Sequence, residues 1–161
     1  MKHICRAVLI LEEECSIPAG RKPLMLETFL HRPLMERAAA QCLADGVQRF
    51  FVVCPPRFAA EAAACFPEGT AVTVSEQHAE LLDFLDTDET TLVLCRAAVP
   101  YAEAGPGFAY SAPGRELREV WKNKMTNAVS GASLVSGWLP IFGPETIAEL
   151  EPVLAKMEQE S

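Results

Sequence analysis

Three consecutive carboxylates, Glu12, Glu13 and Glu14, follow directly on the first apolar run of the chain, ICRAVLIL (4–11). Carboxylates bind hard cations such as magnesium. They repel phosphates, by roughly 1–4 kcal/mol per unit charge at about 4 Å between water and a protein surface. Cys15 adjoins the run, and its acidic neighbours should raise its thiol pKa and leave it inert. Arg96 ends a later apolar run and carries the charge to pair with the glutamates across the strand ends; a solvated arginine is the other reading. His78 lies between Glu76 and Glu80, which suits either a general base with its carboxylate or a surface histidine on a helix. G-x-S-x-G, H-E-x-x-H, G-x-x-x-x-G-K-[ST] and G-x-G-x-x-G patterns are absent from the sequence.

The six cysteines, Cys5, Cys15, Cys42, Cys54, Cys65 and Cys95, form no C-x-x-C pair, and several lie in apolar segments. They read as small buried thiols of a reducing cytoplasm. His3, His31 and His78 show no zinc-ligand spacing with them. With 161 residues, half of them apolar, the chain suits one folded domain, and no apolar run is long enough to span a bilayer. The opening run ends in charge without a small-residue cleavage site, as a buried strand does. A formal net charge of -8 disfavours nucleic acid and anionic lipid as partners.

Elements that would position these residues follow from periodicity. Run 4–11 is apolar and rich in β-branched residues, as in a strand covered on both faces, 49–54 reads as a second buried strand, and 70–74 and 90–95 read as a third and a fourth strand. RPLMERAAAQCLADG (32–46), PPRFAAEAAACF (55–66) and SEQHAELLDFLD (75–86) alternate with them as helices. Pro33 suits a first helical position, Gly46 the residue after the last turn, and Ser75 a cap. The pattern implies a doubly wound, Rossmann-like, mostly parallel sheet over 1–100, with ligands beyond the strands' carboxyl ends. Beyond it, 101–114 reads as loop and RELREVWKNKM (115–125) as a helix. Arg115, Arg118 and Lys122 share one face of that helix, either solvated or docking an acidic partner. ASLVSGWLPIF (132–142) reads as a strand. The terminal helix opens at Pro144 and should kink or break at Pro152.

The first hundred residues resemble the nucleotidyltransferase domain of sugar-1-phosphate nucleotidyltransferases, nearest to bacterial enzymes that uridylylate N-acetylglucosamine-1-phosphate. That family opens with a strand, a Leu-Ala-Ala-Gly-x-Gly-Thr-Arg-Met loop and a Pro-Lys pair. Here AVLIL matches the strand and RKPLMLETFLHRPLMERAAAQCLADGVQRFFVV the continuation, SEQHAELL resembles the Glu-Gln-Leu-Gly-Thr segment, and TLVLCRAAVPY the strand ending in Gly-Asp-x-Pro. The resemblance implies a three-layer α/β/α sandwich of nucleotide-diphospho-sugar transferase type. It implies one domain over 1–161, with a reduced sugar-side part and terminal helix over 101–161.

Aligned on that pattern, the phosphate glycines become Glu13, Glu14, Cys15 and Ser16, and the arginine becomes Ile17. The lysine falls on Leu24, with Lys22 nearby, and the magnesium aspartate becomes Ala98. Gln77 is kept, while Ala79 and Glu80 replace the Gly-Thr. Nucleotidyl transfer needs donors and cations around a polyanion, and these are gone together. The resemblance thus implies a catalytically degenerate relative, a binding or regulatory module with a pocket at Leu11, Glu12, Glu13, Glu14, Gln77 and Arg96. Its partner would be a nucleotide, a sugar phosphate or a protein, and it would need no cofactor. The alternative is an active nucleotidyltransferase with a rearranged site that uses Lys22, Gln77 and magnesium on the acidic run.

Overall fold

Arg6–Ile10 forms β1, a strand with every residue buried. In a computed structural model of the chain, the described residues are 4–11, 14–17, 20–29, 31–94, 96–105, 109–122, 133–141 and 144–160; of 14–17, 20–22, 29, 133, 144, 154 and 157–160 only the backbone is described. On either side of β1 lie β2 (Arg49–Val53) and β4 (Thr90–Leu94), and β3 (Ala71–Ser75) lies outside β2. These four strands are parallel. β5 (Ala109–Pro113) pairs antiparallel with β4, and β6 (Ser133–Leu134) antiparallel with β5. The six-stranded order is therefore β6–β5–β4–β1–β2–β3, an α/β arrangement compatible with a Rossmann-like fold.

Side chains alternate across a strand, so a strand buried on both sides must feed two cores. Ala7 and Leu9 join Phe50, Val52, Leu92 and Leu94 in one core, closed by Leu34, Met35 and Ala38 of helix α1 (Leu34–Ala44). Val8 and Ile10 join Phe51 and Val93 in the other, closed by Leu81 of α3 (His78–Phe84), the adjoining Leu85, and Leu117 and Trp121 of α4 (Gly114–Lys122). The short α2 comprises Ala59–Ala63, and α5 comprises Pro144–Glu160, with Ile147 in the first core. Tilted ring pairs stitch each core: Phe50 on Phe66 at 4.8 Å and Phe51 on Phe84 at 5.4 Å between centroids.

Arg6 is the one charged residue of β1 and is 8% exposed. Its guanidinium lies 3.9 Å over the Phe84 ring, and its Nε is 3.6 Å from Glu89 Oε2. Burial pushes its pKa down, Glu89 pulls it back up and Arg49 adds to the lowering. An aromatic face and one carboxylate thus hold a cation inside what the sequence presents as an apolar run.

Several expectations change. The segment expected as loop over 101–114 contains β5, because its Ala109 and Ala112 are small enough to pack beside β4. The single strand expected over 132–142 is two: β6, and Trp138–Pro140, which pairs instead with Ala98–Pro100. Gly137, with φ of 93°, lies between them in a conformation that favours glycine. The helix expected over 55–66 is a 3-10 turn, Pro56–Phe58, followed by α2 alone. Pro33 is the N-cap of α1 rather than its first residue. Ser75 ends β3, three residues before α3 begins, and its Oγ accepts the N–H of Gln77, the residue at the N-cap, at 3.0 Å. Helix α5 runs unbroken through Pro152, which is exposed; the carbonyl that loses its partner there can bond to water.

Helix α4 docks through backbone contact. Gly114 N–H donates to Glu89 O at 3.0 Å and Arg115 N–H to Thr87 O at 2.8 Å. A Cβ on Gly114 would sit 2.7 Å from Leu85 O and 2.8 Å from Thr87 O. Gly114→Ala should therefore cost about 2–3 kcal/mol in urea denaturation, because backbone oxygens cannot step aside. Gly105→Ala, where a Cβ meets no atom within 4 Å, should stay within about 0.5 kcal/mol of wild type.

Candidate functional site

The crevice beyond the carboxyl ends of β1 and β4 is where an open α/β sheet places a ligand. The described residues of that edge are packed. Leu11 is 2% exposed, joins the first core and donates its N–H to Val53 O at 2.9 Å. The 3-10 turn Leu24–Leu26 has all three side chains buried. Met25 Sδ from this turn accepts the Ala98 N–H at 3.3 Å. Ala97 and Ala98 are themselves buried, and Ala98 starts the ribbon strand that packs with Trp138–Pro140. A buried alanine with its N–H on a thioether thus occupies the position that the family resemblance assigns to the magnesium aspartate.

The other sequence-selected residues fall in different places. Glu14 and Lys22 belong to an antiparallel ribbon, Glu14–Ile17 with Gly20–Pro23, in which Cys15 faces Lys22 and Glu14 faces Pro23. The stretch that the resemblance aligns with a phosphate-binding loop is therefore in part an antiparallel ribbon. Glu12 and Glu13 lie outside the described residues, as does any pairing of Arg96 with the acidic run. Arg96 itself is half-buried. Gln77 is exposed at the N-cap of α3, while Leu11 is enclosed in the core. His78, Glu76 and Glu80 all stand exposed at the start of α3, as a solvated helix end does.

The basic face of α4 has a structural use. Arg115 pairs with Asp86 at 3.6 Å and Asp88 at 3.4 Å, and Arg118 Nε donates to Leu82 O at 3.3 Å. Both arginines tie α4 to the end of α3, which leaves Lys122 exposed at the end of that face.

Among the described cysteines, Cys42, Cys54 and Cys65 are buried and free, and Cys5 is half-buried and free. Burial, assisted by Asp45, pushes the Cys42 thiol up to about 12. Burial, assisted by Glu61 and Glu76, pushes Cys54 up to about 11. Neither thiol offers a thiolate nucleophile near neutral pH. Among the described residues, no three His, Cys, Asp or Glu side chains converge as a metal site would require. No described helix is long and apolar enough to cross a membrane.

The sheet's opposite edge carries a concavity that motif reading does not reach. The strand Ala98–Pro100 runs back beside α1, so that Pro100 and Tyr101 arrive next to the end of that helix. Together with Ile4, Cys42, Asp45 and Trp138 they line a cavity of about 280 Å³. Its lining residues are separated by up to 134 positions in the chain, from Ile4 to Trp138. The sequence signal for it was weak: an acidic residue at the end of α1 and two isolated aromatic residues.

No protein-family model matches the chain, and no curated protein is significantly similar to it.

Two outcomes follow from the packed edge and the shielded thiols. Ala98→Asp should cost about 3–5 kcal/mol in chemical denaturation, since it buries a carboxylate with the Met25 thioether as neighbour. At pH 8, iodoacetamide should leave Cys42 and Cys54 unmodified in the native protein and alkylate both in urea, read by peptide mass spectrometry. Their folded pKa values lie above the ordinary 9.0. The stability they affect is therefore intact below pH 9 and should fall as pH rises toward 11–12, where the unfolded chain ionises first.

Proposed function

We propose that this chain is a sugar nucleotidyltransferase-like domain that has lost nucleotidyl transfer and acts as a cytoplasmic binding or regulatory module. In this reading the two cores are those of a three-layer α/β/α sandwich of nucleotide-diphospho-sugar transferase type, shortened after Pro100. The observation that carries the proposal is the state of Ala98, fully buried with its N–H turned onto Met25 Sδ. Nucleotidyl transfer needs a hard-cation anchor and phosphate donors at the strand ends. At this edge the anchor position is core, and the preceding segment is a ribbon flanked by glutamates rather than a glycine cradle.

Loss of catalysis leaves the scaffold free to hold a ligand or a protein. The net charge of -8 favours a partner that is neither nucleic acid nor an anionic membrane. Buried free thiols suit a reducing compartment.

A thermal-shift titration tests the proposal. UTP or CTP with magnesium, or UDP-N-acetylglucosamine, should leave the melting temperature within about 1 °C of the free protein, since a ligand that binds the native state must raise it. Pyrophosphate release from UTP and N-acetylglucosamine-1-phosphate should be undetectable. A shift of several degrees, or turnover that Lys22→Ala abolishes, would reject the proposal in favour of an active enzyme.

A further inference from the structure

The cavity of about 280 Å³ at the amino edge of the sheet has an electrostatic bias that its size alone does not show. Asp45 is the one charged residue among the described residues that line it. It sits at the C-cap of α1, and no basic residue lies in the last turn of that helix. The carboxyl end of a helix already carries partial negative charge, so an unrelieved aspartate there works against helix stability. Gln41 Nε2 donates to Asp45 Oδ1 at 3.1 Å and holds the carboxylate in place without neutralising it. Tyr101 and Trp138 also line the cavity, and aromatic ring faces attract cations. The Tyr101 hydroxyl donates to Glu103 Oε2 at 3.3 Å, so a second carboxylate is bonded to a residue that lines the cavity. Ile4, Leu92 and Val135 complete an apolar wall, and the Cys42 thiol within it stays protonated.

The helix end, the carboxylate and the aromatic residues all have the same sign preference, and the rest of the wall is mainly apolar, with Gln41 and Ser136 as its other polar side chains. We propose that this cavity binds a small organic ammonium ion with an apolar or aromatic body, its charge at Asp45 and its body against Tyr101 and Trp138. The volume is near the lower end of small-molecule pockets and suits a compact amine rather than a nucleotide. The site is independent of the nucleotidyltransferase-like reading, because it uses no residue at the carboxyl edge.

Calorimetric titration with three probes of matched shape tests this: 2-phenylethylammonium, 2-phenylethanol and phenylacetate. The ammonium should bind about tenfold more tightly than the alcohol, and phenylacetate most weakly. Asp45→Asn keeps the side-chain size and an acceptor for Gln41; it should bring the ammonium down to the alcohol's affinity and leave the alcohol unchanged. Ala102→Trp, at an exposed lining position, should abolish binding of both. If Asp45→Asn does not fold, about 0.5 M KCl on the unaltered protein should weaken the ammonium and spare the alcohol. Equal affinity for ammonium and alcohol, ammonium binding that survives Asp45→Asn or Ala102→Trp, or no binding of the ammonium at millimolar concentration would overturn the proposal.

Discussion

β1 must bury both of its faces, and that requirement organises the rest of the molecule. Five consecutive buried residues at the centre of a sheet need a core on each side. Ala7 and Leu9 are met by α1, and Val8 and Ile10 by α3 and α4. The chain can supply helices to both faces only by crossing over, which the order β3–β2–β1–β4 accomplishes between β3 and β4. The crossover also fixes where α4 lands. Its first residue must lie against the carbonyls of Leu85 and Thr87, and only a glycine leaves room.

The same demand for burial decides which edge of the sheet stays open. At the carboxyl edge, Leu11, Met25, Ala97 and Ala98 are small or flexible apolar groups that close over one another. Once Ala98 takes this route, the ribbon strand it begins is led back along α1 to the amino edge. There Tyr101 and Trp138 join Asp45 in lining the cavity. The packed residues at one edge and the concavity at the other thus lie on a single chain path.

Much of the first half was legible because its signals are local. Runs such as RFFVV and TTLVL have no polar face to offer, so they identify inner strands without a partner being known. Leu34, Ala38 and Cys42 recur at helical spacing and lie on the buried face of α1. The second half resisted because its elements are short and depend on partners. AYSAP becomes a strand through pairing with β4, and the WLP segment through pairing with Ala98–Pro100. The acidic residues at the end of α3 showed no sign in sequence that they would bind Arg115 of a distant helix.

The sequence by itself determined the α/β class, the parallel core and the run of glutamates directly after the first strand. Each of these depends on residue type and near-neighbour spacing, which exist before the chain folds. The tertiary structure alone decided that Ala98 is core, that Arg6 is stacked on Phe84, and that Asp45 shares a cavity with Tyr101 and Trp138. Those outcomes join residues tens of positions apart, and the burial that brings them together is non-directional and shared among many contacts. Composition and spacing can state what a side chain is able to do, whereas its neighbours in the folded chain select which of those things it does.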